Sequence, residues 1–288
     1  MTIDNLALLI PIYKQADNWE LILKGISNNK VLPNTVYALL DRATEEEYKI
    51  IKTMSDEVDI NIKIINVPTP SVKYIKREYV GDPFYVGYIR NYGIDLAISD
   101  GHTEFVFIDG DCVPQSSLFI SHHNTLNNSI PILSIGRRRE KQYKWKDQRE
   151  ITSQFTHLDL FRKEGFLVNN PELITSCVMV WSCNIGLNLR LIKLLKKFNL
   201  KYYGRSEVFS SEFLGAWGGE DGFLGVQSWF VKAFITTIGD MKSGVQHIDH
   251  PRPSDKYTID HKTFFVEQLN RLRKKTALHP LDINFFSN

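Results

Sequence analysis

Four apolar runs of strand length recur along the first 111 residues, and together they restrict the fold more than any other feature. They are "LALLIPIY" (6–13), "TVYALLD" (35–41), "NIKIINVP" (61–68) and "EFVFIDGD" (104–111). Their apolar character is continuous rather than alternating, so both faces of each strand are to be covered, which is the signature of a parallel sheet between two layers of helices. Helical spacing fills the intervals: "NWELILKGISNN", with Asp17 or Asn18 placed to cap it, "ATEEEYKIIKTMSDEV", and "GYIRNYGIDLAISD" (87–100). Alternating strands and helices predict an α/β, Rossmann-like, mostly parallel sheet flanked by helices. With 288 residues, 43% of them hydrophobic, the chain can bury a core of that size.

In an open parallel sheet, ligands bind beyond the carboxyl ends of the strands. Tyr13, Asp41 and Asp109 to Asp111 all fall at such ends. Beyond Asp111 the pattern loosens. "QSSLFISHHNTLNN" reads as a helix and "IPILSIG" as a strand; "CVMVWSCNIGLNLRLIKLLKKFN" reads as a strand that turns at Asn184 and Gly186 into an amphipathic helix. The tail after "HIDHPRP" reads as one or two helices.

Composition mainly excludes. A net charge of +2 does not mark a nucleic-acid or membrane protein. Three scattered cysteines, Cys112, Cys177 and Cys183, lack CxxC spacing, which argues against a disulfide framework or zinc site and fits a reducing compartment. The first apolar run is too short to span a bilayer and has no basic leader, so the expectation is a cytoplasmic protein. The charge is uneven, however. "RRREKQYKWKDQR" (137–149) holds seven Lys or Arg against two acids, with Tyr143 and Trp145 interleaved. Such a run is either a solvated face or an electrostatic footprint for a polyanion, nucleic acid or anionic glycan.

Two acidic motifs carry chemistry. "DGD" at a strand end is a turn signal on one reading; on the other, Asp109 and Asp111 are hard oxygen ligands for Mg²⁺ or Mn²⁺ carrying a diphosphate. "WGGEDGFLG" (217–225) sets Glu220 and Asp221 among glycines and apolar side chains. This is either an acidic first turn of a helix or a carboxylate pair brought close to a ligand by an unusual backbone path.

Taken in order, these segments resemble the GT-A glycosyltransferases, especially inverting enzymes of the chondroitin-polymerase and galactosyltransferase kinds, from Leu6 to about Pro253. "IPIY" looks like the first-strand nucleotide motif, "GYIRNYGIDLA" like the ARNxG helix, "DGD" like DxD, "VWSCNIGLNLRLI" like sGGNxaisr, "WGGEDGFLG" like WGGED, and "HIDHPRP" like a late metal-binding histidine segment. Ser182-Cys183 replaces a glycine pair, and Gly222 stands where the galactosyltransferases have a further acid.

The resemblance implies a single domain, with a nucleotide-sugar half (1–115), an acceptor half (116–250) and a helical tail (251–288). It implies Asp221 as general base and Glu220 as its partner on the acceptor. Asp109, Asp111 and His247 are then the metal ligands, and Pro11, Tyr13, Asp41, Arg90, Asn91, Asp109, Gly110, Trp181 and Gly219 line the donor, Arg90 as a phosphate contact. Trp217, Arg137, Arg138 and Arg139 fall to the acceptor. The implied reaction moves a sugar from a nucleotide donor, UDP-linked in most of the resembled enzymes, with Mn²⁺ or Mg²⁺, to a hydroxyl of a glycan or of a hydroxymethylated base in DNA. Two other readings stand beside it: a sugar nucleotidylyltransferase, which would need a glycine-rich basic loop that "IPIYKQADN" lacks, and a non-catalytic polyanion-binding protein on a decayed transferase.

Overall fold

A computed structural model describes residues 1–71, 85–140, 182–211, 220–238 and 241–248, and helical positions 267, 270, 271 and 274 near the C-terminus. Seven of the described strands form one sheet, in the order β3 (Ile62–Val67), β2 (Leu32–Asp41), β1 (Thr2–Ile12), β4 (Glu104–Ile108), β8 (Asn184–Asn188), β6 (Ile132–Ile135), β9 (Phe234–Thr237). All run parallel except β8, which is antiparallel to both β4 and β6.

Both faces of the sheet are covered. Ala7, Leu9, Tyr37, Leu39, Phe105 and Phe107 pack one way, against α3 (Val86–Ser99), α5 (Leu189–Tyr203) and α6 (Glu220–Phe230). Their neighbours in sequence, Leu6, Leu8, Ile10, Ala38, Leu40, Val106 and Ile108, pack the other way, with α1 (Trp19–Ser27), α2 (Glu45–Asp56) and α4 (Leu118–Leu126). Strand side chains alternate between faces, so burial on both sides is what makes these runs apolar throughout.

Helix ends follow local chemistry. Thr44 and Glu47 form a reciprocal capping box on α2, with Glu47 N donating to Thr44 Oγ1 at 3.2 Å and Thr44 N to Glu47 Oε2 at 2.8 Å. Asn188 Oδ1 accepts from Leu191 N at 3.1 Å to start α5, which ends at Gly204 with φ of 76°.

Two expectations are corrected. Asn184 and Gly186 are not a turn but lie within β8. Gly186 is there for room: a Cβ would stand 2.5 Å from Ser134 Oγ and 2.7 Å from His122 Nδ1. Asn18 precedes α1 but makes no side-chain cap; its amide instead donates to the carbonyl of Gly110 at 3.2 Å.

A second, three-stranded sheet matters for the site. It orders β5 (Cys112–Pro114), β10 (Val245–His247) and β7 (Arg138–Glu140), with His247 paired to Cys112 in antiparallel register. That register sets His247, far along the chain, beside the DGD segment.

Candidate active site

The carboxyl edge of the sheet gathers the acidic motifs. β1, β2 and β4 end there at Ile12, Asp41 and Ile108. Because β8 runs the opposite way, its beginning reaches the same edge, Asn184 pairing with Ile108. Ser182 therefore stands at this edge too, beside the first turn of α6.

DGD follows β4 directly. A Cβ at Gly110 would lie 2.9 Å from the Pro11 carbonyl oxygen and 2.7 Å from Gln15 Oε1, so only glycine lets this turn sit against the end of β1. Asp111 accepts from Gln15 Nε2 at 3.4 Å (Oδ2) and from the Cys112 thiol at 3.3 Å (Oδ1). Its Oδ2 is 3.2 Å from His247 Nε2. Ile248 N donates to the Asp111 carbonyl at 2.6 Å, fastening the two segments.

Arg90 lies under this edge, only 1% exposed. Its Nη2 donates to Asp109 Oδ1 at 2.6 Å and its Nη1 to Glu220 Oε1 at 2.9 Å. Sequence reasoning set Arg90 against a phosphate; the structure gives both Nη groups to carboxylates, one from each acidic motif. Its surroundings fix its place. Gly93, one turn on, lets α3 approach the sheet: a Cβ there would be 2.4 Å from Leu39 Cδ1. Phe209 lies 5.3 Å from the guanidinium. Asn91, expected at the donor, spends its side chain on Phe209 instead, donating to the Phe209 carbonyl at 2.7 Å and accepting from Val208 N and Phe209 N at 3.0 and 2.9 Å.

The two acids of the 220–221 pair sit in different surroundings. Glu220 is buried, and its Oε2 has no hydrogen-bond partner among the described residues. Burial, with Asp221 beside it, pushes its carboxyl up to about 7 against the opposing charge of Arg90. Asp221 is half-buried and oriented. Its Oδ2 accepts from Ser182 N at 3.2 Å and Ser182 Oγ at 3.4 Å, and its Oδ1 from Gly222 N at 2.7 Å.

Asp41 is buried at the end of β2 and takes both arms of its neighbour Arg42, Nε to Oδ1 and Nη2 to Oδ2, each at 2.8 Å. The Arg42 guanidinium lies 4.7 Å from the Tyr13 ring and 4.8 Å from the Tyr85 ring. Burial pushes the Asp109 carboxyl above its ordinary value, and the charges of Arg90 and, to the least extent, of Arg138, expected at the acceptor, oppose that shift.

Trp181, Trp217, Gly219 and the basic run from residue 141 onward lie outside the described residues, as does the Arg139 side chain, while the Arg137 carbonyl accepts from Asn184 Nδ2 at 3.0 Å. Sequence reasoning missed Gln15, Arg42, Phe209 and the support that Ser182 gives Asp221. Gln15 and Arg42 carry a signal in retrospect, since each follows a buried strand within three residues.

No family model matches the sequence, and no curated protein does. Among solved structures, the chain is similar to residues 1–349 of S. aureus TarS in complex with UDP-GlcNAc, at 13% identity and a TM-score of 0.56, over 94% of this chain and 73% of that one. It is similar to glucosyl-3-phosphoglycerate synthase from Mycobacterium tuberculosis in complex with Mg²⁺ and UDP, at 15% identity and a TM-score of 0.52, over 96% and 80%. Against the longer S. aureus TarS structure the identity is 12%, the TM-score 0.54 and the coverage 93% and 43%.

The fold is GT-A. Within this GT-A sheet, DGD and the start of α6 share the carboxyl edge. Among the described residues no three His, Cys, Asp or Glu side chains form a ready cage for a metal ion. The Asp111–His247 pair nevertheless fits a divalent ion in chemistry: one hard oxygen and one imidazole nitrogen, with the other positions left to ligand oxygens. No described helix is long and apolar enough to cross a membrane.

Proposed function

We propose that this GT-A chain is a glycosyltransferase that moves a sugar, with inversion, from a UDP-linked donor to an acceptor hydroxyl. The observation that carries the reading is Arg90, buried between Asp109 of one acidic motif and Glu220 of the other. A turn aspartate and a helix-capping acid have no reason to share a desolvated guanidinium, whereas a two-substrate site needs its donor and acceptor ends held in fixed relation. The likeness to structures holding UDP-GlcNAc, and UDP with Mg²⁺, supports the donor class.

Asp221 is the general base. Three hydrogen bonds fix its carboxylate, which takes the acceptor hydroxyl's proton as the hydroxyl oxygen bonds to the anomeric carbon. The bond from that carbon to the diphosphate breaks on the opposite face, and its electron pair leaves with the diphosphate. Glu220 is too deeply held by Arg90 to share that task; it fixes the first turn of α6 on which Asp221 rides. Asp111 and His247 would hold a Mn²⁺ or Mg²⁺ ion, whose chemistry is Lewis-acid stabilisation of the leaving diphosphate. Arg138, beside Asp109, adds positive charge at the same place.

The acceptor hydroxyl belongs to a glycan or to a hydroxymethylated base in DNA. The basic run opened by Arg137, Arg138 and Arg139 is the feature that brings a polyanion into consideration.

Calorimetric titration of UDP tests the metal and donor together. Binding is expected to need Mn²⁺ and to be lost in Asp111→Ala. Equal UDP affinity in chelator would refute the metal assignment.

A further inference from the structure

We infer that the solvent-facing stripe of α5 docks this protein on an anionic phospholipid surface, as a peripheral contact rather than a membrane span. The inference is independent of the sugar-transfer reading, because binding to a vesicle needs neither donor nor acceptor.

The helix carries Arg190, Lys193, Lys196, Lys197 and Lys201 and not one acid in its 15 residues. That is a local excess in a chain whose net charge is +2. With about 3.6 residues per turn, Arg190, Lys193, Lys197 and Lys201 fall on one stripe, roughly 16 Å long at about 1.5 Å per residue. All four are exposed, whereas Leu191, Ile192, Leu195 and Phe198 on the opposite side are buried in the core. Lys196, at the margin, pairs with Asp95 of α3. Among the described residues Arg190, Lys193 and Lys197 have no ion-pair partner, and Lys201 lies against the Tyr202 ring, 5.0 Å from its centroid.

A helix that needed only to be soluble would be built differently. On α1 and α2, Lys24 pairs with Glu20 and Lys52 with Asp56, each four residues apart, an arrangement that supports the helix. On α5 the same spacing sets Lys193, Lys197 and Lys201 in succession, and like charges four residues apart weaken a helix. Arg190, in the first turn, also opposes the helix dipole. Cations collected on one stripe against the helix's own preference match a partner that is itself an anionic surface.

The apolar members of the stripe separate a bilayer from a nucleic acid. Leu200, between the turns of Lys197 and Lys201, is 55% exposed, and Leu194 is half-buried. A leucine projecting among cations gains nothing along a row of phosphates. At a membrane it enters the boundary between headgroups and acyl chains while the lysine ammonium groups stay among the headgroups. Three of the four stripe cations are lysines, point charges suited to a diffuse headgroup field rather than forks for individual phosphates.

The stripe also leads toward the candidate site. Leu189 N donates to the Thr103 carbonyl at 2.8 Å, just before β4, so α5 starts at the sheet edge away from DGD and runs back toward the acidic edge. Val208 and Phe209, shortly after its end, meet Asn91 and Arg90. Contact along α5 therefore sets the membrane alongside that edge.

The test is co-sedimentation of the full chain with vesicles of phosphatidylcholine, alone or mixed with phosphatidylglycerol. Binding is expected to the mixed vesicles only and to weaken with added salt. Lys193→Gln, Lys197→Gln and Lys201→Gln together keep good helix formers at exposed positions, so the variant is expected to melt no lower than wild type. At roughly fivefold for each cation, its partition onto the mixed vesicles should fall by about 10²-fold. Leu200→Gln is expected to lower that partition roughly fivefold, the worth of half a leucine, and to leave binding to duplex DNA unchanged. Equal binding to both vesicle types, or mixed-vesicle binding untouched by the triple substitution, would overturn the inference. So would duplex DNA bound through these lysines with no vesicle binding, which would make the stripe a nucleic-acid contact.

Discussion

Replacing Glu220 by Gln removes the titration of one buried carboxyl while leaving an oxygen for Arg90 Nη1 to donate to. In the folded chain that carboxyl protonates at about 7, against an ordinary 4.5, chiefly because it is buried and secondarily because Asp221 lies beside it. Its folded pKa is raised, so between these two values the native state holds a proton that the unfolded state has released. The contribution of this one group to stability therefore falls as pH rises from 4.5 to about 7 and is level outside that window. At about 1.4 kcal/mol for each pH unit of the gap, this group withdraws roughly 3 kcal/mol of wild-type stability on going from about pH 4 to about pH 8.

The amide introduced by Glu220→Gln cannot ionise, so the variant escapes that loss, and its stability relative to wild type is expected to rise by the same amount. For a chain of this size a kcal/mol corresponds to about 2 °C or slightly more in melting temperature. Thermal melts at half-unit steps from about pH 4 to about pH 8 should show the difference in Tm growing by about 6 °C in the variant's favour. In an Asp221→Asn background the midpoint of that growth should move to lower pH, because a neighbouring negative charge has gone. A difference in Tm that stays flat across the range would refute the claim that Glu220 is buried and proton-bound near neutrality.

Asp221→Asn itself is expected to bind UDP as wild type does while transfer falls by at least ~10²-fold, the lower range for loss of a general base, as measured by single-turnover sugar transfer. Lost UDP binding in this variant would reverse the roles of the pair. Gly93→Ala is expected to cost about 1–3 kcal/mol in urea unfolding, since its new methyl would press on Leu39 Cδ1 and Leu9 Cδ2 at 2.4 and 2.7 Å. If the basic run meets DNA, log affinity should fall linearly with log salt, and replacing Arg137, Arg138 and Arg139 together by Ala should flatten that slope by roughly 0.9 for each phosphate contact removed. A gel-shift titration showing no binding at low salt would leave a glycan as the acceptor.

The sheet and its helices could be read from the sequence because apolar runs such as "LALLIPIY" record burial on both faces, and a residue's burial pattern is a local property of its strand. The candidate acids could be read too: Asp109, Asp111, Glu220 and Asp221 sit next to glycines, and at Gly110 that glycine is required by contact with the Pro11 carbonyl. The partners of these acids depended on tertiary structure. Arg90 looks like any cation on a helix until Gly93 brings α3 against the sheet and Asp109 and Glu220 close on it from distant parts of the chain. His247 meets Asp111 only because β10 pairs with β5 in one particular register. Ser182 reaches Asp221 only because β8 runs against its neighbours and brings its beginning to the edge where the other strands end. Strand direction, register and helix approach are settled by packing among segments far apart in sequence, so sequence alone could nominate these residues for a site but could not say which of them touch.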